Sequence, residues 1–284
     1  MAHSGMSEIL PTGPKNDGLP CPEVGAWSED KHRLVFLYNY LFSRGMKNRW
    51  DSRVYVDLYS GPGLARVKGT DRLLWGSPLL ALQVPDPFDK YIFCESNLEY
   101  MDALQKRCGQ ISPVADVSYV HGDCNDKADE IHHLIPSGPK VLSSCFVDPF
   151  DLSVKFSTIQ KIAAKRVDFL VLLALQMDGG RNETHYTNPT NRKLDEFLGN
   201  SEWRLRWLDR KISVPFPQFI AEEYAKSMEG MGYLPVPFYR MKQVRSDSNT
   251  PLYRLALFSK HPLALKFWEE VLNYSDSQTK FRFC

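Results

Sequence analysis

Four acidic residues in this chain each stand where a hydrophobic, strand-like run ends. Val54-Tyr55-Val56 runs into Asp57, and Tyr91-Ile92-Phe93-Cys94 into Glu95. Val117-Ser118-Tyr119-Val120 leads to His121-Gly122-Asp123, and the run from Val141 to Val147 stops at Asp148-Pro149-Phe150. In an open α/β sheet, ligands lie beyond the carboxyl ends of the strands. The first run continues Leu58-Tyr59-Ser60-Gly61-Pro62-Gly63, where two residues without a Cβ let the backbone turn tightly and approach a ligand. A strand, an acid and a glycine turn suit a nucleoside-bearing cofactor. Asp57 is placed to hold a cationic amino group or a bridging water. Glu95 can accept hydrogen bonds from both hydroxyls of a ribose, and Asp123 one from an adenine amino group. Asp148-Pro149-Phe150 suits chemistry on a planar amine: the carboxylate accepts from the exocyclic NH₂ and the ring stacks on the base. Each acid alone would also serve as a helix cap or turn residue. Four in this order point to a site.

The competing nucleotide motifs are absent or incomplete. A dinucleotide fingerprint needs a third glycine where Arg66 stands, and no G-x-x-x-x-G-K-[ST] loop occurs. At 284 residues, 43% apolar and 24% charged, the composition is that of an ordinary globular protein with a substantial core. A net charge of +1 gives no global field favouring nucleic acid, though local basic clusters could suffice. The six cysteines form no C-x-x-C pair, and Cys94, Cys124 and Cys145 lie in or beside apolar runs, where a thiol behaves as a small hydrophobe. A reducing, cytoplasmic setting is expected. No window approaches the roughly 18 apolar residues of a membrane span.

The elements that must position these acids alternate along the chain. Apolar spacing predicts a helix over Trp27–Phe42, a strand at Arg53–Tyr59, and a helix after Gly76-Ser77-Pro78. The second strand is Tyr91–Glu95, followed by a helix over Asn97–Cys108, a short strand from Val117 and a helix near Lys127–Leu134. Val141–Val147, a helix at Ser157–Lys165 and the very apolar Val167–Leu173 complete the alternation. Continuous apolar strands separated by helices indicate a parallel sheet covered on both faces. Val236–Val244 and Leu252–Lys260 read as an antiparallel pair. Together these predict a Rossmann-like α/β fold of five parallel strands closed by an antiparallel C-terminal hairpin. Residues 1–22, rich in Gly, Pro and polar residues, read as a flexible lead-in. Residues 23–284 read as a single domain, with an inserted substrate-side region at about 176–235.

With these residues in hand, the pattern D-x-x-x-G-x-G from Asp57 to Gly63 looks like the first motif of S-adenosylmethionine-dependent methyltransferases, whose sheet is the one predicted. From about Glu23 onward the chain resembles the three-Cys-motif partner proteins, a bacterial group with a methyltransferase-like domain. The matching residues are Gly25-Ala26-Trp27-Ser28 with Lys31, Tyr55 to Gly63, Gly76-Ser77-Pro78, and Phe146-Val147-Asp148-Pro149-Phe150. They continue through Phe197-Leu198-Gly199, Trp203, Leu252-Tyr253-Arg254-Leu255 and Phe267-Trp268. More distantly, Gly76-Ser77-Pro78, Glu95 and Asp148-Pro149 are similar to a ribosomal RNA adenine-N6 methyltransferase family. The resemblance implies S-adenosylmethionine held by Lys31, Asp57, Tyr59, Ser60, Gly61, Gly63, Ser77, Glu95, Ser96, Asp123 and Cys124. Asp148, Pro149 and Phe150 would then face an amino acceptor, with RNA or DNA among the candidate substrates. The family name also implies a partner: an iron–sulfur, radical-type protein carrying three cysteines. A chain that keeps the pocket but serves only as that partner's subunit is the alternative reading. One departure stands out, since the fourth-strand motif reads Asp-Pro-Phe-Asp, which brings the aromatic one position early and puts Asp151 where the ring would be.

Two further segments carry polar or basic chemistry. Gln176 to Arg192 follows the fifth strand, where long loops often bind substrate, and Arg181, Asn182 and His185 are its substrate-side candidates. Trp203-Arg204-Leu205-Arg206-Trp207 could stack on bases and pair with phosphates, but an amphipathic helix with buried tryptophans accounts for it better. His121, Cys124, His132 and His133 lack zinc-ligand spacing, and no metal is expected.

Overall fold

A computed structural model describes residues 10–175, 183–210, 213–246 and 248–281. In chain order the elements begin with β1 (Glu23–Val24), α1 (Ser28–Met46), β2 (Ser52–Asp57), β3 (Leu64–Val67), β4 (Leu73–Trp75) and α2 (Ser77–Leu82). There follow β5 (Lys90–Glu95), α3 (Leu98–Ile111), β6 (Val117–His121), α4 (Ala128–Leu134), β7 (Val141–Val147), α5 (Phe156–Ala163) and β8 (Val167–Leu173). The last part holds α6 (Glu183–Thr187), α7 (Lys193–Leu198), α8 (Trp203–Leu208), α9 (Phe216–Gly230), β9 (Lys242–Arg245), β10 (Pro251–Phe258) and α10 (Pro262–Phe281).

The main sheet has seven strands in the order β6-β5-β2-β7-β8-β10-β9. The first five run parallel, and β10 pairs antiparallel with both β8 and β9. Successive strands fill outward from β2 on one side, then on the other, which makes the gap between β2 and β7 the topological switch point. The fold is therefore the expected Rossmann-like α/β architecture, five parallel strands closed by an antiparallel C-terminal hairpin.

Side-chain alternation with period two explains why this sheet is covered twice. Val54, Val56, Cys145, Val147, Phe169 and Val171 face one core, which is capped by α4, α5 and α7 to α9 through Ile131, Ile159, Phe197, Trp203 and Tyr224. Tyr55, Phe146, Leu170 and Leu172 face the other, against α1, α2, α3 and α10 through Phe36, Leu79, Leu104 and Trp268. All seven residues of β8 are buried.

Three features add to these expectations. Residues 10–22, within the segment read as a lead-in, contact the rest of the chain: the Trp75 indole donates to the Thr12 carbonyl at 2.7 Å, and Asp17 pairs with the buried Arg107. The hairpin's first arm is strand only over Lys242–Arg245, because Pro235 and Pro237 lack the N–H a ladder needs and the chain forms a 3₁₀ turn at Phe238–Arg240 instead. Finally, the described part of region 176–235 holds α6 to α9 and packs α7 to α9 into the core on one sheet face; none of its described residues lines the main pocket.

Candidate functional site

The glycine turn after β2 packs against the start of helix α2, whose N-cap is Gly76. Gly63 has φ +87°, and its carbonyl accepts from the Gly76 N–H at 2.7 Å. A Cβ on Gly63 would lie 2.7 Å from Leu79 Cδ1. Gly61, at φ +59°, turns its own N–H onto Glu95 Oε2 at 2.9 Å. The other oxygen of Glu95 accepts from the Asn97 N–H at 2.8 Å, at the residue that caps α3. Glu95 is thus fixed between the ends of β2 and β5, with lone pairs remaining for a ligand.

Beyond these strand ends lies a pocket of about 720 Å³. It brings together Lys31, Tyr59, Ser60, Gly61, Gly63, Ser77, Glu95, Ser96, Asp123 and Cys124 with Asp148, Pro149 and Phe150. Asp123 accepts from the Asn125 N–H at 2.7 Å, an arrangement that holds its carboxylate at the end of β6. Ser60 Oγ donates to the Cys94 carbonyl at 3.0 Å. Burial pushes the Cys124 thiol up to about 11, so it lines the wall as an un-ionised group.

Asp57 is placed differently from the expectation. It is fully buried beneath the pocket, not on its surface. Its oxygens accept from the Tyr55 hydroxyl at 3.0 Å and the Tyr59 N–H at 3.3 Å. Burial raises its pKa to about 7, against the pull of hydrogen bonds from Ser77, Tyr55 and Tyr59. It meets the pocket through Ser77 and the Tyr59 N–H, both lining residues, and so braces the wall from beneath.

Lys31, from the first turn of α1, extends its Nζ to 2.5 Å from Asp148 Oδ2. The same Nζ lies 6.0 Å from the centre of the Tyr253 ring, on β10. Both partners of the ion pair are mostly shielded, at 12% and 16% side-chain exposure. Asp148 Oδ1 has no partner among the described residues. His32 also lines this side; burial first, and the charge of Lys31 second, hold its imidazole well below the usual range and therefore neutral. Phe150 is 91% exposed at the mouth, and Asp151, which follows it, pairs with Lys193 at 2.9 Å.

The substrate-side candidates do not join this group. Arg181 and Asn182 lie outside the described residues, and His185 is exposed on α6, away from the pocket lining. Trp203 and Trp207 are core residues, while Arg204 pairs with Asp195 and Arg206 with Glu223, so α8 is an amphipathic helix and not a base-stacking platform. Sequence reading missed His32, Tyr100, Ser153 and Tyr253 as pocket residues; only Tyr253 carried a signal, within Leu252-Tyr253-Arg254-Leu255. Among the described residues no three His, Cys, Asp or Glu side chains form a metal-binding group, and no helix is long and apolar enough to cross a membrane.

A scan against protein-family models finds no match, and no curated protein matches the chain. Solved structures do resemble it. An O-methyltransferase from Bacillus cereus in complex with SAH matches at 10% identity and a TM-score of 0.46, over 90% of this chain and 91% of that one. The O-methyltransferase TomG from Streptomyces achromogenes, in complex with SAM, matches at 10% identity and 0.41, over 78% and 79%. TYW2 from M. jannaschii in complex with AdoMet matches at 10% identity and 0.39, over 79% and 77%. Likenesses this weak carry no argument about what this chain binds or does.

Proposed function

We propose that this protein is an S-adenosylmethionine-dependent methyltransferase acting on an amino nitrogen, with a nucleobase of RNA or DNA as the acceptor class. The observation that carries the proposal is the convergence of Glu95, Asp123 and Asp148, from three strand ends, on one pocket floored by the Gly61–Gly63 turn. Its volume of about 720 Å³ falls in the range of small-molecule sites. Glu95 would take the ribose hydroxyls and Asp123 the adenine amino group. The bound cofactor would supply a methyl group already activated on a sulfonium.

What remains for the chain is approach and orientation. Lys31 fixes one oxygen of Asp148, which leaves Oδ1 to accept an N–H from the incoming amine. The carboxylate would then stabilise the positive charge that develops on that nitrogen as its lone pair forms the new N–C bond and the S–C bond breaks, with S-adenosylhomocysteine as the neutral leaving group. Phe150, exposed at the mouth, is available to stack on a planar acceptor. As the family resemblance implies, we attach to this reading an iron–sulfur partner bearing three cysteines, to be sought by co-purification.

Calorimetric titration with S-adenosylmethionine and S-adenosylhomocysteine tests the first half. Glu95→Ala removes charged hydrogen-bond acceptors and should weaken binding by about 10- to 100-fold. Asp148→Ala should keep cofactor affinity yet lose transfer of labelled methyl to adenine- and cytosine-containing oligonucleotides. A well-folded protein that binds neither compound would refute the assignment.

A further inference from the structure

One buried cation lies outside the acids just described. Arg107, on the last turns of α3, has a side chain only 2% exposed. Its Nε and Nη2 each donate to a different oxygen of Asp17 at 2.7 Å. Its Nη1 donates to the Pro20 carbonyl at 2.9 Å and, at the same time, to the Pro62 carbonyl at 2.6 Å. Pro62 is the residue between the two positive-φ glycines of the pocket turn. Just after this anchor, Pro22 to Gly25 line the pocket, and Pro22 O accepts from Arg66 N at 2.9 Å as β1 joins β3. The same helix α3 is capped by Asn97, whose N–H holds Glu95.

We infer that Arg107 and Asp17 are positioning residues of the cofactor pocket: their ion pair latches residues 10–25 against the Gly61–Gly63 turn as one wall, and slows ligand escape. The inference rests on the cofactor reading above. Arg107 is buried while the Asp17 side chain is 24% exposed, so water meets the latch from the Asp17 side. Its hydrogen bonds to Arg107 hold the Asp17 carboxyl below its ordinary range, so the pair stays charged at neutral pH. A bidentate guanidinium–carboxylate pair also fixes direction, which a lysine in place of Arg107 could not do.

The test uses Asp17→Asn, which leaves the Arg107 contacts to Leu19, Pro20 and Pro62 in place, and Asp17→Glu as the conservative rescue. S-adenosylhomocysteine affinity and dissociation rate are measured together with hydrogen exchange over residues 17–25. The latch predicts about tenfold faster dissociation and faster exchange in Asp17→Asn, both restored toward wild type by Asp17→Glu. Dissociation within twofold of wild type, with unchanged exchange, would overturn it. If the wild-type protein binds no cofactor, the functional reading fails separately and the exchange comparison alone decides the latch. Arg107→Lys gives a second check, since a merely structural cation would be replaced by it with no faster release.

Discussion

The glycine turn invites a paired substitution, Gly63→Ala against Gly61→Ala. Both residues have positive φ, +87° and +59°, so each alanine carries a similar backbone strain of about 1–2 kcal/mol. Both also remove unfolded-state freedom, which offsets roughly 0.4–1 kcal/mol of that strain. The surroundings differ. A Cβ on Gly61 meets nothing within 4 Å, whereas on Gly63 it meets Leu79 Cδ1 at 2.7 Å, Leu79 Cγ at 2.8 Å and Leu104 Cδ1 at 3.0 Å. Both leucines are fully buried, so neither can swing aside without displacing its own neighbours. Overpacking of this kind costs about 1–3 kcal/mol, and this is the expected difference between the two variants in urea unfolding. A difference under about 0.5 kcal/mol would refute the claim that this turn is pinned by packing against α2 and α3.

Other consequences can be measured directly. Asp57 has its carboxyl raised from 3.8 to about 7, so the folded state binds more protons than the unfolded chain between those pH values, and wild-type stability should fall as pH rises through that window. Asp57→Asn should remove that part of the slope in pH-dependent denaturation; an unchanged slope would mean the buried carboxyl does not titrate there. For Lys31 and Asp148, a double-mutant cycle with Lys31→Met and Asp148→Asn should give a coupling of about 1–3 kcal/mol, between the values for exposed and fully buried pairs. A coupling near zero would show the pair to be a passing contact.

The parallel sheet was legible because its strands are continuous apolar runs closed by acids. The run expected from Tyr91 to Glu95 is the strand Lys90–Glu95, and that expected over Val141–Val147 has those bounds. The small sheet of β1, β3 and β4 was not legible, since strands of two to four residues carry too few side chains to show a period. Helix α10 was missed as an element, although Phe267 and Trp268 lie within it. The four acids could be seen one at a time, but which of them line the pocket could not. Asp57 stands in the same sequence context as Glu95, yet one is buried under the pocket and the other lines it. Lys31 and Asp148 are 117 residues apart, and Arg107 and Asp17 are 90 apart, so only the folded chain discloses either pair.

The placing of β10 between β8 and β9 also bears on how the chain is made. Strand β8 is apolar throughout, and its outer partner is not β9, which follows it sooner, but β10, whose residues Arg254 to Phe258 pair with Leu173 to Phe169. During synthesis, the most hydrophobic strand of the protein therefore keeps an open edge until some eighty further residues have left the ribosome. A chain stopped before residue 251 would offer that edge to its neighbours. Nascent and prematurely terminated forms should then be the aggregating species, and dependence on a chaperone should end when β10 emerges.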